Sequence, residues 1–121
     1  MKVFTIKEDV FKTEPLFVIG CSYVALCDLL HRRFRVEIDR RPSDEQTLGT
    51  MLTLNGPPWR VVWMKRDSLT TAVHEIFHLV TRICHDKGIR IVSQDENGSI
   101  GDETAAYLLE FFMKAYLERR H

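Results

Sequence analysis

Apolar and polar positions change period along this chain, and the changes mark its elements. Lys2 to Ile6 reads as a short strand. The stretch from Thr13 to Phe34 is nearly uncharged until Asp28 and ends in His31-Arg32-Arg33, a basic run suited to the negative end of a helix. At least Cys21 to Arg33 is therefore expected to be helical. For Leu16 to Ile19 the run is too short to separate a strand from the start of that helix, and both stay open. Arg35 to Asp39 alternates like a strand, and Arg41-Pro42-Ser43-Asp44-Glu45 is a polar loop. Leu48 to Leu54 and Arg60 to Lys65 are two further strands joined by Asn55-Gly56-Pro57-Pro58, a link short enough to imply antiparallel pairing. From Ser68 the period becomes that of a helix, with Ser68 as N-cap and Gly88 ending it. After a loop over Ser93 to Gly101, a last helix runs from about Asp102 to Arg119. The expected fold is α+β: one helix, a small antiparallel sheet, then two helices.

Composition narrows the class. At 121 residues, scaling rules give about 6,800 Å² exposed when folded against about 20,600 Å² unfolded, enough burial for one core and one domain spanning 1–121. Lys and Arg (17) balance Asp and Glu (17), so no net field points to nucleic acid or an anionic membrane as the main ligand. Pro15 to Cys27, thirteen residues, is the longest uncharged stretch, short of the roughly twenty that cross a bilayer. Charge also interrupts the first nine residues before a signal-like apolar run develops. Cys21, Cys27 and Cys84 have neither zinc-knuckle nor redox spacing. A cytoplasmic protein with no nucleic-acid or membrane partner is expected.

The chemistry sits in His74-Glu75-Ile76-Phe77-His78, an H-E-x-x-H string inside the Ser68 helix. Residues four apart are neighbours about 6 Å along a helix, so two imidazoles there can converge on one zinc. Glu75 then lies beside the remaining coordination position as a general base. Five histidines and nine glutamates in 121 residues give about 0.015 chance occurrences of this string. Helix phase supports it. At 100° per residue, Leu69, Ala72, Val73, Ile76, Phe77, Leu79, Val80, Ile83 and Cys84 fall between about 140° and 300° from His74. His78, Thr81, Arg82 and His85 fall between about −20° and 80°, with Glu75 at the border. His85 shares that face but lies about 10 Å along the axis from His78 and about 16 Å from His74, too far to join them as a ligand.

At Glu103-Thr104-Ala105-Ala106-Tyr107, opening the last helix, the chain resembles zincin metallopeptidases of the gluzincin arrangement. It also looks similar to small metallopeptidase-like proteins encoded by bacteriophages and prophages, over about Arg60 to Leu117. The resemblance implies a minimal zincin-like domain, a zinc cofactor and a peptide or protein substrate. His74, His78 and Glu103 would be metal ligands, with Asp102 as the substitute for Glu103, and Glu75 the catalytic base. Where larger gluzincins place an aspartate four residues after the ligand glutamate, this chain has Tyr107, whose hydroxyl would serve near the catalytic centre. The strand Arg60 to Lys65 would then be either the sheet edge on which an extended peptide pairs or an ordinary inner strand. Only eighteen residues follow Glu103, so a site open on one side is expected.

Each reading has a plainer counterpart. His74 and His78 can be polar residues on an exposed helix face. Glu103 can be a first-turn acid favoured by the helix dipole, and Tyr107 a packing aromatic. The functional expectation is a zinc metallopeptidase. Its alternatives are a zinc-bearing phage structural or interaction protein without hydrolysis, a regulatory peptidase that cleaves a repressor, and a metal-free interaction module.

Overall fold

A computed structural model describes residues 1–39, 47–89 and 100–120, without the side chains of 100–102. Seven elements follow in the order β1 (Lys2–Thr5), β2 (Leu16–Ile19), α1 (Tyr23–Phe34), β3 (Gly49–Thr53), β4 (Arg60–Met64), α2 (Leu69–Asp86) and α3 (Ile100–Arg119). The four strands form one sheet in the order β1-β2-β4-β3. Among the described residues, no helix is long and apolar enough to cross a membrane.

The sheet is mixed, which corrects the antiparallel expectation. β1 pairs antiparallel with β2, and β3 with β4, the latter from Gly49 opposite Met64 to Thr53 opposite Arg60. Between them β2 and β4 run parallel, with Leu16 opposite Val61 and Ile19 opposite Met64. A parallel pair needs a crossover, and here the chain from β2 to β4 includes α1. The strand alternative for Leu16–Ile19 is the one realised. β4 is an inner strand flanked by β2 and β3, so among the described residues the edge on this side is β3.

Both faces of the central strands are covered, and this is why they read as unbroken apolar runs. Phe17, Ile19, Val62 and Met64 meet Ala72, Ile76, Leu79, Val80 and Ile83 of α2 and Leu108, Phe112 and Tyr116 of α3. On the other face Leu16, Val18, Val61 and Trp63 meet Leu26, Leu29 and Leu30 of α1. The result is three layers: α1, sheet, and the α2–α3 pair.

Helix ends follow local chemistry. Ser22 caps α1 by accepting the Ala25 N–H at 3.2 Å. Arg35 ends it in the left-handed region, φ 58°, with its N–H on the His31 carbonyl at 3.0 Å. That turn overrides the alternation of Arg35 to Asp39, which is not a strand. Instead Val36 and Ile38 pack against the α1 core. Ser68 precedes α2 but makes no side-chain capping bond. At the other end Gly88 takes φ +70°, and the Ile89 N–H reaches back to the Cys84 carbonyl at 2.8 Å. The expected loop Arg41–Glu45 lies outside the described residues, as does most of Ser93–Gly101, whose last two residues begin α3.

A polar tie joins the far end of α3 to the start of α2. The fully buried Tyr116 donates its hydroxyl to Asp67, which also accepts from Arg120 Nε at 3.0 Å. Burial pushes the Asp67 carboxyl up, but the hydrogen bonds of Tyr116 and Arg120 and the charges of Arg120 and Lys2 outweigh it and hold it below its ordinary 3.8. A lowered folded pKa means that this stability is present above the unfolded value and is lost as pH falls through the folded one. Asp67→Asn is expected to cost about 1 kcal/mol at pH 7, a modest figure because the carboxyl is partly exposed. It should also flatten the loss of stability below pH 4. Urea unfolding of both proteins at pH 7 and pH 3 checks this, and an unchanged acid slope would refute the tie.

Candidate metal centre

The amphipathic phase of α2 places its chemistry. Ala72, Ile76, Leu79 and Ile83 anchor the helix on the sheet, while His74 and His78, one turn apart, are exposed. Their Nε2 atoms are 3.1 Å apart, and the rings meet edge-on with centroids 4.6 Å apart at 81°. Two Nε2 atoms bound at 2.0 to 2.1 Å to one tetrahedral zinc would be about 3.3 to 3.4 Å apart, so an opening of a few tenths of an ångström fits the ion. Glu75 completes the group, with one ligand atom from each of His74, Glu75 and His78 all within 4.8 Å of one another.

The apolar arc is narrower than its phase suggests. Leu69, Val73 and Phe77 are exposed, Phe77 at 55%. Glu75, at the border of the polar arc, is the one that is buried, at 5%. The cause is β3, which closes over it. A Cβ on Gly49 would meet Thr71 Cγ2 and the Trp63 carbonyl oxygen at 2.8 Å and Glu75 Cγ at 3.4 Å, so only glycine lets the strand approach this closely. Burial pushes the Glu75 carboxyl up, and the neighbouring His74 and His78 partly offset this.

These groups open into a cleft of about 620 Å³ between α2 and the edge of the sheet. Gly49, Thr50 and Met51 of β3 form one wall, and His74, Glu75, His78, Thr81, Arg82 and His85 the other. His85 therefore shares the cleft, yet it lies outside the 4.8 Å group, as its spacing along the helix requires. The β3 wall was not identified from sequence. Gly49 is the one signal for it, because a glycine in a strand marks close approach of another group.

Among the described side chains, α3 brings none to the histidines. It packs beside α2 on the β1–β2 side, where Arg119 donates to the Thr5 carbonyl at 3.3 Å and Tyr107 donates to Glu8 Oε1 at 3.1 Å. The His74–His78 pair faces β3, at the opposite end of the strand order. Glu103 is exposed and lines a separate depression with Val10, Phe11, Thr104 and Tyr107. The sequence places Glu103 as third ligand and Tyr107 beside the catalytic centre; the structure instead sets both against the turn after β1. Leu108, Phe112 and Tyr116 decide this, because burying them fixes the rotation of α3. The side chain of Asp102 lies outside the described residues.

Glu8 is a polar core residue that sequence reading missed. It is fully buried and accepts from the N–H groups of Val10 at 2.7 Å and Phe11 at 2.8 Å as well as from Tyr107. Three donors satisfy the carboxylate, so its role is to close the β1–β2 turn and hold α3 against it.

Comparison with known proteins does not name a relative: no family profile matches the chain, and neither curated proteins nor solved structures give a significant match.

Proposed function

We propose that this protein is a zinc-dependent hydrolase that cleaves a peptide or other amide bond, with His74 and His78 holding the metal and Glu75 as general base. The observation that carries this is the 3.1 Å approach of two Nε2 atoms beside a carboxylate that β3 keeps from water. Neutral imidazoles make that contact directly only when one Nε2 bears a proton, whereas a shared cation uses both lone pairs. Zinc in such a site supplies Lewis acidity that brings the pKa of water near neutrality and polarises a carbonyl. The chain's own residues do the rest. Glu75 accepts the proton as the water oxygen bonds to the carbonyl carbon, then gives it to the nitrogen as the carbon–nitrogen bond breaks, leaving a carboxylic acid and an amine. Gly49, Thr50 and Met51 form the wall against which the substrate lies.

A second reading is favoured by the same cluster. Because a Glu75 oxygen lies within 4.8 Å of both imidazole nitrogens, the carboxylate is close enough to be a ligand itself. A zinc held by His74, Glu75 and His78 would leave no base and would make this a zinc-binding protein without hydrolysis.

The metal is tested first. Protein purified without a histidine tag is expected to hold about one zinc per chain, His74→Ala and His78→Ala only traces, and Glu103→Ala the same as wild type. Elemental analysis after dialysis measures this. Equal trace metal in every protein would remove the proposal, and loss in Glu103→Ala would return the third-ligand role to α3.

A further inference from the structure

The cleft continues past the histidines, and its far part holds a charge that has no partner among the described residues. Arg82 follows His78 by four residues, so it lies one turn on, about 6 Å along the same helix face. It lines the same cleft as His74, Glu75 and His78. Among the described lining residues it is the only group that is always cationic, and Glu75 is the only acid.

Exposed Arg32, Arg35 and Arg66 also lack a side-chain partner among the described residues, but they lie outside this cleft, and other arginines are engaged. Arg60 pairs with Asp86, Arg120 with Asp67, and Arg119 donates to the Thr5 carbonyl. Asp86 is four residues after Arg82 and is the acid that a helix would ordinarily offer it, but Arg60 of β4 takes that carboxylate. Arg82 has no hydrogen-bond or ion-pair partner among the described residues. Its guanidinium therefore offers planar N–H donors to whatever enters the cleft.

We infer that Arg82 receives a carboxylate of the substrate, which makes the substrate class a peptide bearing an acidic group close to the cleaved bond. This rests on the reading of His74 and His78 as the metal site. An extended peptide advances about 3.3 to 3.6 Å per residue, so a group reached about 6 Å beyond His78 lies one or two residues from the carbonyl at the metal. Both a chain-terminal carboxylate and an Asp or Glu side chain satisfy that distance. The recognition is a charge-assisted bidentate hydrogen bond on the rim of the site, which gives selectivity between substrates.

Three hydroxamate-capped dipeptides separate the sources: one with a free terminal carboxylate, one ending in carboxamide, and one ending in carboxamide with aspartate as its second residue. Zinc content is measured first, and each probe is then titrated calorimetrically into the zinc-loaded protein. At least one anionic probe is expected to bind about tenfold more tightly than the neutral one, and which of the two does so identifies the source. In Arg82→Gln that preference disappears while the neutral probe binds as before, and Arg82→Lys keeps part of it. Equal binding of all three probes to wild type, no binding of any of them, or a preference that survives in Arg82→Gln overturns the anion site while leaving the metal site standing. A protein that takes up no zinc overturns the metal reading, and this proposal with it.

Discussion

Trp63→Ala is expected to destabilise the protein by about 4 kcal/mol, within the range for truncating a fully buried aromatic. Trp63 is only 1% exposed and lies on the inner strand β4, between parallel β2 and antiparallel β3. Its ring packs among Leu16, Val18, Leu26, Leu29 and Leu30, and meets Tyr23 edge-on at 5.5 Å between centroids. Its indole N–H donates to the Cys21 carbonyl at 3.0 Å, tying the strand to the turn that leads into α1. Truncation would open a cavity on the α1 face and leave that carbonyl without its donor, two costs that add. For a domain whose total stability is on the order of 5 to 15 kcal/mol, this approaches unfolding. Chemical denaturation measures it, with Trp63→Phe as the milder companion that keeps an aromatic ring but loses the hydrogen bond. A loss below about 1 kcal/mol in Trp63→Ala would show that the α1 layer does not depend on this side chain.

Much of the framework was legible in the residues because local chemistry decides it. The helix beginning after Ser68, the hairpin across Asn55-Gly56-Pro57-Pro58 and the basic end of α1 each follow from signals within a few positions of one another. The His74–His78 approach was legible for the same reason, since four residues on a helix is a fixed distance. Whatever depends on distant packing was not. The parallel register of β2 on β4 is set by both sheet faces being buried, and no hairpin signal encodes it. Arg35 to Asp39 alternates like a strand, yet one left-handed residue at its start turns the chain onto the α1 core. Glu103 and Tyr107 are a matter of rotation: Leu108, Phe112 and Tyr116 fix which way α3 faces, and the first-turn acid goes with them. The burial of Glu75 likewise comes from β3, some 25 residues earlier, through a glycine with no side chain to announce it.

Glu75→Gln separates the two roles open to that buried carboxylate. The substitution keeps volume and shape under the Gly49 strand, so the fold and the two imidazoles should be preserved. It removes the ability to take a proton. With Glu75 as base, the zinc-loaded variant should hydrolyse a mixed peptide pool about 10² to 10⁴ times more slowly than wild type, the range that general-base catalysis contributes. Its zinc content should stay near one per chain, because His74 and His78 still supply their Nε2 atoms. With Glu75 as a ligand, zinc content falls instead, and wild type itself shows no hydrolysis that the variant lacks. Proton transfer also sets the pH dependence. Burial pushes the Glu75 carboxyl up, while a bound dication in the same cluster pulls it down. The acid limb of the wild-type rate should therefore fall as pH drops through the resulting value, and the variant's residual rate should lack that limb. Equal rates for wild type and Glu75→Gln at every pH, with zinc present in both, would end the case for Glu75 as base.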